Sequence, residues 1–77
     1  MILQIFSIEK TIFKGEANEL SFTGEDGSFA VLDDHAPLIA RLGKGEIVYT
    51  NSGEQHKVEI SGGMLEVRKN EVAVCLD

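Results

Sequence analysis

These 77 residues predict an all-β domain, an antiparallel sandwich of short strands, and three observations carry that expectation. Apolar runs of four to eight residues are broken by Gly, Asn, Asp or Ser at intervals of about 8–12 residues, the spacing of a sandwich or barrel. Several of those runs alternate apolar and polar with period two, so one face of each is set to be buried. No window carries a sustained 3.6-residue apolar stripe, so helix should be limited to a turn near His35 to Leu38.

Taken in chain order, Ile2 to Ile8 is apolar on both faces, with Leu3 and Ile5 opposed to Ile2, Phe6 and Ile8. Two readings stay open for it: a strand buried on both sides, or one with a core face and a partner face. Gly43-Lys44-Gly45 and Lys69-Asn70 mark tight corners. Asn51-Ser52-Gly53-Glu54 is a hairpin loop in which Gly53 can take a positive φ. His56 to Ser61 gives the cleanest alternation, Val58 and Ile60 against Lys57 and Glu59. Met64 to Arg68 sets Leu65 and Val67 against Glu66 and Arg68, and Glu71 to Leu76 points Val72, Val74 and Leu76 inward. Short connections between such strands imply antiparallel pairing.

Size and charge narrow the function. One domain is all that 77 residues can hold. A core this small rarely supplies more than about 3–5 kcal/mol by itself, so a partner surface would add to its stability. The single cysteine, Cys75, excludes an internal disulfide and fits a reducing compartment. Net charge is −6, which phosphate backbones and anionic lipid head groups repel, so no nucleic acid is expected as a partner. No apolar run approaches the ~20 residues of a membrane span, so direct membrane insertion is not expected either. Hydrophobic content of 43% and charged content of 26% are those of a folded globule.

One segment stands apart, Gly24 to Leu38. Its four carboxylates (Glu25, Asp26, Asp33, Asp34) meet no Lys or Arg within it, Gly27 sits where a tight turn belongs, and Pro37 holds Ala36 extended. Phe29, Val31 and Leu38 would anchor it, leaving a stiff, acidic, solvent-facing loop pair with one imidazole. As a metal site, Asp33, Asp34, His35 and His56 offer ligands, but neighbours in sequence rarely converge on one ion, and no spaced ligand motif is present. As a hydrolase, the pair His35 and Asp33 lacks a nucleophile, since nothing marks Cys75 as activated. Gly43-Lys44-Gly45 lacks the spacing and following helix of a phosphate loop. A docking surface needs no converging geometry, and charges that merely solubilise need none either. On the residues alone these two readings stay open.

The same segment resembles a family. Gly24-Glu25-Asp26-Gly27-Ser28-Phe29-Ala30-Val31-Leu32 followed by His35-Ala36-Pro37-Leu38 is similar to the signature loop of the F-type ATP synthase epsilon subunit, called delta in mitochondria. Ser61-Gly62-Gly63-Met64-Leu65-Glu66-Val67 is similar to a second motif of that family, and Glu9-Lys10-Thr11-Ile12-Phe13-Lys14-Gly15 to its opening. Three motifs in order cover nearly the whole chain. The resemblance implies a flattened sandwich of about ten strands over residues 1–77, with no C-terminal helical domain within them, where family members continue into a helical hairpin. It implies a non-catalytic rotor subunit, without cofactor or metal, that docks the gamma subunit to the cytoplasmic loops of the c-ring. Such a subunit is peripheral, on the cytoplasmic face of the bacterial inner membrane. Carried over residue by residue, the partner-facing positions are Glu25, Asp26, Ser28 and His35, with Ser7 at another stalk-facing place. The chain departs from the family pattern at Ser28, where an acid is common, at Ala30 for Gly, and at Asp33 and Asp34 for turn residues. The alternative from another class is a free-standing ligand- or metal-binding sandwich.

Overall fold

Period-two alternation becomes two sheets facing each other across one apolar layer. The computed structural model describes residues 1–25, 27–33 and 36–77. Nine strands form among them: β1 (Ile2–Phe6), β2 (Thr11–Glu16), β3 (Glu19–Gly24), β4 (Gly27–Leu32), β5 (Leu38–Leu42), β6 (Gly45–Asn51), β7 (Glu54–Ile60), β8 (Gly63–Arg68) and β9 (Glu71–Leu76). Sheet one has the order β2-β1-β9-β8-β5 and sheet two the order β4-β3-β6-β7. The all-β sandwich is therefore what forms, with extents of 25 × 24 × 20 Å that make the flattening slight.

One pairing departs from the wholly antiparallel expectation. β1 and β9 run parallel, Leu3 beside Val72 and Ile5 beside Val74, while every other described pair is antiparallel. The inference from short loops holds for strands joined by those loops. The first and last strands are joined by the whole chain, so no hairpin constrains their direction.

The faces expected to be buried are buried. Leu3, Ile5, Leu65, Val67, Val72 and Val74 from sheet one meet Leu20, Phe22, Val31, Ile47, Tyr49 and Ile60 from sheet two. Each such side chain contributes about 1.5–3 kcal/mol by leaving water. Val58 and Leu76 pack partly against this layer, and Leu38 stays at the rim. Ser52 and Gly53 both have positive φ (51° and 82°), the primed turn that matches strand twist across a two-residue hairpin. The helical turn expected near His35 to Leu38 falls partly on residue 35, outside the described residues, and Leu38 already opens β5.

The two flanks of the sandwich are closed differently. Between β2 and β7, Phe13 meets Tyr49 at 4.5 Å between ring centroids, and His56 stacks on Tyr49 at 5.1 Å. Between β4 and β5, the Phe22 and Phe29 rings sit 5.8 Å apart beneath an open cleft.

Candidate docking surface

Register decides which of the partner-facing residues expected above share a surface. In sheet two, Gly24, Gly27, Gly45 and Ile60 form one cross-strand row. In sheet one, Phe6, Cys75, Met64 and Arg41 form another. The links 43–44 and 61–62 join the two sheets at this end, so Ser7, Glu25 and Ser28 all lie at one end of the sandwich. Ser7 follows β1 while Ser28 lies beside β5, three strand spacings away in sheet one, roughly 14 Å. Asp33 lies beyond Leu32 at the opposite end, about 20 Å along the strand direction from Gly27. The stretch expected to act as one acidic loop pair is thus divided between two ends by the strand inside it. Asp26 and His35 are outside the described residues.

Each described member has definite local partners. The Ser7 hydroxyl accepts the Glu9 and Lys10 amides at 3.3 and 3.4 Å, and the Ser7 amide donates to the Lys10 carbonyl at 2.8 Å. That hydroxyl closes the β1–β2 turn. The Glu25 amide donates to the Lys44 carbonyl at 3.3 Å, which fixes the hairpin tip while its carboxylate side faces water. Ser28 is exposed beside Thr23. At the far end Asp33 accepts the Met1 ammonium at 2.6 Å, and the same ammonium donates to the Ala17 carbonyl at 3.0 Å. Among the described residues no group of three or more His, Cys, Asp or Glu could hold a metal ion.

The outer faces of the sheets differ in kind. Sheet two turns outward Ser21, Thr23, Glu46, Lys57 and Glu59, with Ala30 and Val48 between them. Sheet one turns outward the row Phe6–Cys75–Met64, ended by Arg41, with Ile39 on the neighbouring row. Met64 is 42% and Ile39 68% exposed, and Ile8, just past β1, is 99% exposed. Ile12 is the extra residue of a β-bulge opposite Ile5 and Phe6 and borders the same region at 38% exposure. Of the two readings of Ile2 to Ile8, burial on both sides within this chain does not occur. β1 has a core face and an outward apolar face.

Reading the sequence missed this row, because its members come from four strands remote in the chain. The available signal was the apolar residue at an outward position: Met64 and Cys75 each break an alternation whose inward members were identified.

Residues 1–77 match the family model described as ATP synthase, Delta/Epsilon chain, beta-sandwich domain. The chain belongs to that family. An ATP synthase epsilon chain of Xanthomonas campestris pv. campestris (strain B100) is 49% identical over 74 residues, covering 95% of this chain and 53% of the relative. One from Leptospira borgpetersenii serovar Hardjo-bovis is 35% identical over 75 residues, covering 97% and 59%. The chain therefore spans a little over half the length of these relatives. A chain of the Euglena gracilis mitochondrial ATP synthase (OSCP/F1/c-ring, rotational state 1) superposes with TM-score 0.89 at 23% identity, covering 99% of this chain and 49% of that one. A chain of the Tetrahymena thermophila mitochondrial ATP synthase central stalk and c-ring gives 0.83 at 11% identity, covering 99% and 62%. At those identities the two superpositions establish a shared fold.

Proposed function

We propose that the chain is the sandwich part of a non-catalytic central-stalk subunit of an F-type ATP synthase, docking the gamma subunit to the c-ring and coupling proton flow to ATP synthesis. Family membership supports the assembly, and the unequal outer faces support the docking role. The single observation that carries it is the outward row Phe6–Cys75–Met64 on sheet one, half-buried at Phe6 and exposed at Cys75 and Met64, which a soluble sandwich would otherwise fill with polar side chains. In this reading that row is the gamma-facing surface, where apolar area supplies affinity. The end bearing Ser7, Glu25 and Ser28 faces the cytoplasmic loops of the c-ring, while Asp26 and His35 are partner-facing by the resemblance alone. Carboxylates there steer basic loops. The protein then works as a peripheral component at the cytoplasmic face of the membrane that holds the synthase.

The test is the purified chain with gamma and, separately, the reconstituted synthase in vesicles. Met64→Asp should weaken gamma binding at least about tenfold, with the melting temperature within about 2 °C of the parent. Glu25→Lys should lower proton pumping per ATP hydrolysed and leave gamma binding unchanged. Undiminished gamma binding by Met64→Asp would overturn the assignment of the face.

A further inference from the structure

β4 is an edge strand that differs from the other three edges. β2 carries Lys14 and Glu16, β5 carries Arg41, and β7 carries Glu54, Lys57 and Glu59, the charges by which proteins blunt unpaired edges. β4 reads Gly27-Ser28-Phe29-Ala30-Val31-Leu32, with no charge and no proline.

Its hydrogen-bond parity follows from the register. Gly24 and Gly27 flank a two-residue hairpin loop, so they are the hydrogen-bonded pair that closes it. The Glu25 amide on the Lys44 carbonyl agrees, since it makes Gly24 and Gly45 a non-hydrogen-bonded pair on the other side of β3. Counting along β4, Phe29 and Val31 also bond to β3. The N–H and C=O groups of Ser28, Ala30 and Leu32 therefore point away from β3, toward the edge, and β4 pairs with no second strand among the described residues. Beside this edge lies the cleft of about 310 Å³ floored by Phe22, Phe29 and Ala40 and bordered by Arg41.

We infer that the β4 edge accepts an extended segment of a basic partner protein as a fifth strand of sheet two. Backbone groups of Ser28, Ala30 and Leu32 supply the pairing, and an apolar side chain of the added strand seats over Phe29 in the cleft. Charge selects the occupant. The uncharged strand lies between Glu25 at one end and Asp33 at the other, in a chain of net charge −6. Asp33 keeps 54% of its side chain exposed although it accepts the Met1 ammonium. A second copy pairing edge to edge would set carboxylates of one copy against carboxylates of the other at both ends. A strand with basic residues at its ends would not.

This site reaches beyond gamma and c-ring docking and is read out on backbone amides that docking by the sheet-one face does not use, so either can fail alone. The probe is an octapeptide with Lys and Arg at its ends and alternating Val and Thr between, added at millimolar concentration to the full chain. Amide exchange at Ser28, Ala30 and Leu32 should slow at least about tenfold, while the amides of β2, β5 and β7 stay as they were. Ala30→Pro removes one outward donor at an edge position where proline is tolerated, and the same peptide N-methylated at alternate residues removes the matching donors. Either change should abolish the protection, with cooperative melting showing that the Ala30→Pro chain is folded; should it not fold, the N-methylated peptide decides alone. Absence of protection with the parent pair, equal protection by the N-methylated peptide, or slowing of the same amides by raising the concentration of the chain alone would each overturn the inference.

Discussion

Ser7 shows how one side chain can carry a local duty where a partner contact is expected. Its hydroxyl accepts two backbone amides of the turn that joins β1 to β2, and its own amide bonds to Lys10. This is the Ser/Thr turn arrangement, which Asn and Asp make more strongly. Ser7→Ala should therefore lower stability by about 0.5–1.5 kcal/mol in urea unfolding, whereas Ser7→Asn should recover most of that loss. Equal stability of parent and Ser7→Ala would show that the turn does not depend on the hydroxyl. A contact role for Ser7 then has to be measured with Ser7→Asn, which keeps the turn while changing the surface it offers.

Within single strands, period two was enough to orient β7, β8 and β9, because the charged residues Lys57, Glu59, Glu66, Arg68 and Glu71 mark the outward side of each, although Met64 and Cys75 share that side. Leu65 is 1% exposed and Met64, its neighbour in β8, is 42% exposed. Leu65→Ala should cost about 2–5 kcal/mol through lost burial and the cavity left behind, against about 3–5 kcal/mol available to a domain of this size. Much of that variant should be unfolded at 25 °C by far-UV circular dichroism, while Met64→Ala should melt within a few degrees of the parent. Reversal of that order would mean that the faces of β8 are misassigned. What the strands could not disclose is anything that depends on which strands become neighbours. The Phe6–Cys75–Met64 row needs β1, β9 and β8 side by side, and only tertiary pairing sets them so. The two loops of the Gly24–Leu38 stretch part company for a related reason. Phe29 and Val31 are the anchors expected, and the six-residue strand they lie in carries Glu25 and Asp33 to opposite ends.

At the scale of the whole molecule, the parallel pair of first and last strands decides when the fold is complete. β9 lies between β1 and β8 in sheet one, so without it Leu3, Ile5, Leu65 and Val67 lose their lateral neighbours and the sheet divides into a two-stranded and a two-stranded remnant. Two-stranded pieces are marginal at best in water. Sheet two would then face a split, half-solvated layer, and Val72 and Val74, 3% and 0% exposed in the fold, would be missing from the core. A chain ending at Asn70 should accordingly show no cooperative thermal or urea transition, although it retains the whole of the β6–β7 hairpin. Adding the separate peptide of residues 71–77 at millimolar concentration should restore strand signal in far-UV circular dichroism, since the slot between β1 and β8 offers hydrogen bonds on both sides and a buried place for two valines. The same peptide with Val72→Asp and Val74→Asp should restore nothing, because its backbone would fit while its side chains would bring two unpaired charges into the apolar layer. A truncated chain that melts cooperatively by itself would place the folding nucleus elsewhere and remove β9 from the role of closing strand.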